Sequence, residues 1–367
     1  MNQAIAQLSE QVLDAAQRKN VILIEGGRTK AFYGNAPQLS TAPCVRLDMT
    51  SVRGIVSYEP TELVVTALAG TPLQEVIDTL AAANQVLAFD PPAFGAQATI
   101  GGCVTAGLAG PGRYAGGPVK DYVLGTHLLT SNGQVQKFGG EVMKNVAGYD
   151  VSRLLVGSMG MFGVLTQVSV KVAPKPQEVC TLQWELNEAQ ALKLCHSWRA
   201  LPLPVSATAW QALDGGSGRL HVRLAGASAS VKSARQKLGG EILPNAQADA
   251  YWTDLREQTQ SFFATPILWR LAVAPGTPAL DLGPTLTEWG GGQRWVAADL
   301  DAATVRRVAA QAGGHATLFR ASTAQTMLEQ GGVFHPLASG VLDVVKRLKQ
   351  EFDPQGLFNP GRLVTGL

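Results

Sequence analysis

The sequence predicts an α+β chain of two units, each built from helices over antiparallel strands, and three observations lead there. At 367 residues and 38.7 kDa the chain is too long for one ordinary core, because domains usually hold roughly 100 to 150 residues. Glycine gathers in stretches that abut short apolar or alternating segments, as it does where backbone must come close to something flat. All seven tryptophans, from Trp184 to Trp295, lie in the middle region, which therefore has its own composition.

The elements follow in order. Residues 3 to 19 place Ile5, Leu8, Val12, Leu13 and Ala16 on one helical face. Val21 to Ile24 is an all-apolar strand that stops at Glu25-Gly26-Gly27-Arg28-Thr29-Lys30. Paired glycines expose consecutive N–H groups, which fits a phosphate nest with charge added by Arg28 and Lys30, or an ordinary solvated turn. Ile55 to Tyr58 and Leu63 to Ala67 read as strands turned by Glu59-Pro60-Thr61. Thr71-Pro72-Leu73-Gln74 is a capping start for a helix over 72 to 83. Asp90-Pro91-Pro92, Ala98-Thr99-Ile100-Gly101-Gly102 and the glycines at 107, 110, 112, 116 and 117 form a loop too apolar for a linker, which favours a binding loop. Strands over 126 to 130 and 135 to 138 are joined by an Asn132-Gly133 hairpin turn. From Lys144 to Lys171 the chain packs Gly148, Gly157, Gly160 and Gly163 around apolar runs before an alternating strand, a place for a large rigid ligand.

The middle region alternates strands (179 to 186, 205 to 213, 219 to 224, 267 to 273, 293 to 298, 316 to 320) with helices (188 to 199, 229 to 238, 249 to 258, 301 to 312). That pattern predicts an α+β cap, with a ferredoxin-like unit as one form of it. Its tryptophans read either as core filling or as a partner interface. A last helix carries Val341, Val344, Val345, Leu348 and Phe352 on one face.

Composition excludes several classes. The formal net charge of +2 and the lack of a basic, aromatic-interleaved patch speak against nucleic acid. The four cysteines (Cys44, Cys103, Cys180, Cys195) are far apart and form no CxxC, so no zinc or iron–sulfur site is expected, only core thiols of a cytoplasmic protein. No signal peptide and no apolar run near 18 residues is expected to give a membrane segment. Neither GxGxxG nor GxxxxGK[ST] is present.

The glycine turn at 26 to 30, TIGG at 99 to 102, KDYVLG at 120 to 125, KNVAGYD at 144 to 150, RLLVGS at 153 to 158, GVLT at 163 to 166 and FDPQGLFNPGR at 352 to 362 occur in an order that resembles a known family. It is the FAD-binding domain shared by p-cresol methylhydroxylase, vanillyl-alcohol oxidase and the FAD-linked D-lactate and glycolate dehydrogenases. Within it the chain is most similar to the FAD-binding (E) subunits of bacterial glycolate oxidase, with AGGHAT at 312 to 317 as a marker. The resemblance implies a PCMH-type (vanillyl-alcohol-oxidase-like) FAD-binding domain over 1–176, a smaller α+β cap over 177–330, and a C-terminal segment over 331–367 that returns to the first domain. It implies non-covalent FAD, since Arg28 stands where flavinylated members have histidine. It assigns cofactor contacts to Gly26, Gly27, Arg28, Thr29, Lys30, Pro91, Thr99, Ile100, Gly101, Gly102, Gly107, Gly157, Gly160, Gly163, Val164, Asn359 and Arg362.

Departures from that family bear on activity. Relatives that oxidise 2-hydroxy acids carry a histidine cluster, whereas His127, His196, His221, His315 and His335 stand apart here. His315 reads as structural or as a base. Met159, Met161 and Phe162 replace polar residues, so no catalytic residue and no metal ligand is assigned. The expected role is that of a subunit of a glycolate oxidase that works with a catalytic FAD-linked subunit and an iron–sulfur subunit, in the cytoplasm or peripherally at the inner membrane. The alternatives are a self-sufficient FAD-dependent 2-hydroxy-acid dehydrogenase and a non-catalytic FAD-binding scaffold.

Overall fold

The computed structural model describes residues 3–38, 43–140, 150–213 and 216–367. The KNVAGY part of the motif at 144–150, with Gly148, lies outside the described residues. Helix α1 (Gln3–Arg18) buries Ile5, Leu8, Val12 and Ala15. Leu13, expected on that face, is instead exposed, because Ala15 completes the 5-8-12 stripe at helical spacing. Strand β1 (Val21–Glu25) pairs in parallel with β2 (Cys44–Asp48). Strands β3 (Ile55–Glu59), β4 (Val64–Leu68), β6 (Val123–Leu129), β7 (Val135–Gly139) and β8 (Val164–Lys171) form an antiparallel sheet in the order β3-β4-β8-β6-β7. A separate short pair is formed by β5 (Gln85–Val86) and β9 (Ala173–Pro174). Between β4 and β6 lie α2 (Leu73–Ala82), α3 (Ile100–Ala106) and α4 (Arg113–Gly116), and α5 (Val151–Leu154) precedes β8.

The stretch from 98 to 117, expected as one binding loop, is thus partly helix. A Cβ at Gly110 would lie 2.3 Å from the Asp90 carbonyl oxygen, and one at Gly112 or Gly116 within 2.8 Å of that of Ala88. These glycines let two backbone segments touch, so their spacing answers to packing.

The middle region is one eight-stranded antiparallel sheet. Its strands are β10 (Glu178–Glu185), β11 (Val205–Ala212), β12 (Gly218–Gly226), β13 (Glu241–Leu243), β14 (Leu268–Ala272), β15 (Thr285–Glu288), β16 (Gln293–Val296) and β17 (His315–Arg320). Their order, β13-β10-β12-β11-β15-β16-β14-β17, splits into two halves with the same arrangement: fourth, first, third, second strand of each, joined through β11 and β15. In the first half α6 (Glu188–Trp198) and α7 (Ser228–Leu238) make both crossovers, which is the ferredoxin-like unit expected. The second half keeps only α9 (Ala302–Gln311), with α8 (Asn245–Glu257) ahead of it and α10 (Ala324–Glu329) after it. Trp198, Trp210, Trp252, Trp269, Trp289 and Trp295 are buried. Core packing therefore covers most of their surface, while Trp184 is half-buried.

Helix α11 (Ser339–Phe352) returns to the first unit. Val345, Leu348 and Phe352 pack on its core, but Val341 and Val344 are exposed. The expected face is rotated because Lys349 points inward. Its Nζ donates to Asp353 Oδ2 (2.6 Å), to the Met161 carbonyl (2.7 Å) and to that of Phe358 (3.0 Å). The Asp353 carboxylate in turn accepts from the backbone N–H groups of Leu357 (3.0 Å) and Phe358 (2.9 Å).

Candidate functional site

A cleft of about 300 Å³ opens where the end of β1, the start of α3, the 159–163 turn and the C-terminal tail converge. The tail reaches it by acting as an extra strand: Phe358 bridges Ile22, whose N–H donates to the Leu357 carbonyl (2.8 Å) while the Asn359 N–H donates to the Ile22 carbonyl (2.9 Å). Asn359 then ties three segments together. Its Oδ1 accepts from the Ile24 N–H (2.9 Å) and its Nδ2 donates to the Met159 carbonyl (2.6 Å). It does so at a φ of +41°, a region that asparagine tolerates better than most residues.

Gly26, Gly27, Arg28, Thr29 and Lys30 line one wall. Thr99, Gly101 and Gly102 line a second, with Gly160, Gly163, Asn359 and Arg362 closing the third. A Cβ on Gly27 would lie 1.4 Å from the Gln97 carbonyl oxygen, and one on Gly101 would lie 2.7 Å from both the Cβ and the carbonyl oxygen of Ala69. Side chains are thus excluded where these walls meet. Thr99 caps α3 by accepting from the Gly102 N–H at 3.1 Å.

The other predicted contacts lie elsewhere. Ile100 is buried in the core, and Val164 pairs with Leu129 inside the sheet. Gly107 ends α3 in a left-handed conformation and abuts Gly157, whose N–H donates to the Val104 carbonyl. Pro91 is buried beside Asp90, which bridges to Arg223 and Arg256 of the cap at 3.3 Å each. Next to it the Glu257 carboxylate accepts from the Ala93 and Phe94 N–H groups. That strip joins the two units rather than lining the cleft. Met161 and Phe162 are core residues, so of the three apolar substitutions noted in the sequence only Met159 faces the cleft.

Sequence reasoning missed Glu25, Arg46, Met49, Thr105 and Leu165, which also line the cleft. Arg46 comes in through the parallel β1–β2 register, opposite Leu23, and no local motif announces such a pairing. Arg46 and Glu25 form an ion pair, with Arg28 3.8 Å from the same carboxylate. Glu25 is the acidic residue of the lining, against Arg28, Lys30, Arg46 and Arg362. Arg362 donates to the carbonyls of Asn35 (2.8 Å) and Tyr33 (2.7 Å), and Lys30 donates to that of Ala93 (3.1 Å) with Phe94 beneath it. Burial lowers the Lys30 and Arg362 pKa values, and for Lys30 the fields of Cys103 and Glu257 oppose that shift. The cleft therefore carries excess positive charge beside bare backbone N–H groups, and its apolar lining, with Leu23, Ile24, Met49 and Leu165, suits flat rings. A dinucleotide with a diphosphate meets both demands. No histidine or cysteine is among the described lining residues, so none is placed there for a covalent bond to a flavin.

His315 does not reach the cleft. It is exposed at the start of β17, where His335 accepts from the Ala316 N–H. Among the described residues no group of His, Cys, Asp and Glu is placed to hold a metal ion, and no helix is long and apolar enough to cross a membrane. Cys103, Cys180 and Cys195 are buried as expected, whereas Cys44 is exposed.

Comparison with known proteins gives a consistent picture. A family model described as an FAD binding domain matches residues 3–139. Glycolate oxidase subunit GlcE of Escherichia coli is 43% identical over 362 residues, which is 98% of this chain and 97% of that protein. Glycolate oxidase subunit GlcD of Bacillus subtilis is 42% identical over 84 residues, 23% of this chain and 18% of that one. A solved structure of alkyldihydroxyacetonephosphate synthase has a TM-score of 0.68 at 15% identity, covering 96% of this chain and 74% of that one. This last likeness is one of fold alone.

Proposed function

The chain belongs to the family of glycolate oxidase subunit GlcE, and from that premise we propose that it is the FAD-binding subunit of a multi-subunit glycolate oxidase. It works there beside a separate catalytic flavoprotein subunit and an iron–sulfur subunit, and the complex converts glycolate to glyoxylate. The observation that carries the cofactor reading is the cleft itself: four cations, one acidic residue and a glycine-built floor at the junction of β1, α3 and the tail. Bound FAD supplies a two-electron acceptor. Gly27 and Gly101 let the walls close on Gln97 and Ala69 so that backbone borders the diphosphate site, Arg28, Lys30 and Arg362 meet its charge, and Asn359 fixes the tail against the turn at Met159. The same reading keeps the division into 1–176, 177–330 and 331–367, with the cap as the face for partners and any membrane contact made through the complex.

Absence of a histidine from the described lining supports a chain that leaves proton removal from the hydroxy acid to its partner. Purified alone, the protein is expected to be yellow and to release FAD on acid or heat treatment. It is expected to reduce no dye with glycolate until the partner subunits are added. Full glycolate turnover by the isolated chain would overturn the division of labour and restore the self-sufficient dehydrogenase. Undiminished activity of a reconstituted complex whose subunit has lost its flavin would leave a scaffold.

Two substitutions separate room from chemistry. Gly27→Ala drives a Cβ into the Gln97 backbone, which cannot swing away, and is expected to yield protein without flavin. Gly26→Ala meets only the Thr99 hydroxyl at 2.7 Å, and turning it aside loses the α3 cap, a cost of about 1 kcal/mol. Flavin absorbance per mole of protein after gel filtration should therefore collapse in the first variant and stay near wild type in the second. Full flavin content in Gly27→Ala protein would show that the packing of this turn on Gln97 is not needed to hold the flavin.

A further inference from the structure

A second cavity, of about 450 Å³, lies where α4 of the first unit meets the cap, bounded by α4, the end of α6 and the end of β14. It shares no lining residue with the flavin cleft. Its charged lining residues are Arg113 and Arg199, and among the described residues no aspartate or glutamate lines it. Around them stand Tyr114, Trp198 and Trp289, with Leu201 and Leu203 toward the rim. The Arg113 guanidinium sits 4.6 Å from the Trp289 ring centre, and Arg270, outside the cavity, sits 5.3 Å from the same ring.

Arg113 is unusual in what it lacks. Among the described residues its guanidinium makes no ion pair and no hydrogen bond, although a guanidinium offers five N–H donors. Asp121 acts on it only through its field, while the Arg270 charge opposes it and burial lowers its pKa to about 10. A half-buried cation held against an indole, facing a cavity with no acid in its described wall, is a site awaiting a negative charge. The volume lies within the range of small-molecule sites, well beyond what a two-carbon acid fills. Besides the two guanidiniums the wall carries Tyr114, Trp198, Trp289, Leu201 and Leu203, so a ring can pack beside the charged group it delivers.

We propose that this cavity binds an organic anion with an apolar, ring-sized body, its carboxylate held by Arg113 and Arg199 and its ring packed against Trp289 and Trp198. The site stands apart from the flavin reading and does not depend on it. Isothermal titration of the flavin-loaded protein with naphthalene-2-carboxylate at low salt is expected to show saturable binding with one site per chain. The neutral 2-naphthamide should bind at least tenfold more weakly. Arg113→Gln and the exposed Arg199→Gln should each lower the carboxylate affinity at least tenfold while flavin content stays unchanged. No saturable binding by the wild type, or equal binding of acid and amide, would overturn the proposal. So would affinity unaltered in both variants. If Arg113→Gln alone fails to fold, Arg199→Gln decides.

Discussion

Replacing Asp353 by alanine is expected to cost about 3–5 kcal/mol of stability, the usual penalty for stripping the partner from a buried charge. Lys349 is 6% exposed and Asp353 is 2% exposed, and they meet at 2.6 Å. Without the carboxylate, the Lys349 ammonium keeps only two neutral acceptors, the carbonyls of Met161 and Phe358. The Leu357 and Phe358 N–H groups lose their acceptor as well. Those residues set the tail beside β1, so the Asn359 and Arg362 contacts loosen with them and flavin retention should fall in parallel. Lys349→Met should cost less than Asp353→Ala, because the carboxylate left behind still accepts two backbone N–H bonds. The double variant should lose less than the sum of the two single losses, since each partner's main burden is the other's charge. Denaturant unfolding followed by intrinsic and flavin fluorescence measures all three. A loss below about 1 kcal/mol in Asp353→Ala would show that the clasp does not hold the tail.

That clasp also marks where the sequence stopped being legible. The pattern of apolar residues placed α11 and found Val345, Leu348 and Phe352, but it also enlisted Val341 and Val344, which face solvent. A lysine inside is intelligible only once Asp353 and two carbonyls surround it, and two of those three partners come from distant turns. Local chemistry read well wherever a short motif fixes the backbone. The Asn132-Gly133 turn joins β6 and β7 as expected, with Gly133 at φ +75°. The helix expected over 72 to 83 spans Leu73–Ala82, but its capping start does not hold: Pro72 is the N-cap, no side chain caps it, and the Thr71 hydroxyl donates instead to the Leu68 and Gly54 carbonyls. The four-residue β15 was missed because it is too short to show alternation, and α3 because its glycines masked the capping role of Thr99. In the cleft, the glycine turn and the tail were legible as motifs. Arg46 was not, since only the parallel register of β1 and β2 brings it to Glu25. Gly107 and Gly157 carried the signature of a ligand contact, yet they serve each other: glycine marks close approach without saying whether ligand or chain approaches.

Glu288→Gln should change how stability depends on pH. Glu288 is buried at the junction of the two units, where its Oε2 accepts from Trp295 Nε1 (2.6 Å) and Gln293 Nε2 (2.8 Å). Burial pushes its pKa up from 4.5 to about 7, with those two donors and Arg270 opposing the shift and Asp90 adding to it. The native state therefore holds a proton that the unfolded chain releases between about pH 4.5 and 7, and stability falls as pH rises through that window. The full shift corresponds to about 3 kcal/mol. His221, stacked 3.8 Å from Tyr251, works in the opposite sense. Burial lowers its pKa from 6.5 to about 4, so its contribution is present above pH 6.5 and is lost as pH falls toward 4. The two slopes oppose each other where the windows overlap, and they flatten the wild-type profile there. A glutamine at 288 keeps an oxygen for both donors but has no proton to release. The variant should therefore gain on the wild type steadily from pH 4.5 to 7, by up to about 3 kcal/mol, and expose the rising His221 slope. Urea unfolding at about pH 5, 6, 7 and 8 reads the difference directly. A stability difference that stays constant across that range would mean that Glu288 ionises at an ordinary pH, and that its carboxylate is solvated in a way that the contacts with Trp295, Gln293 and Arg270 do not supply.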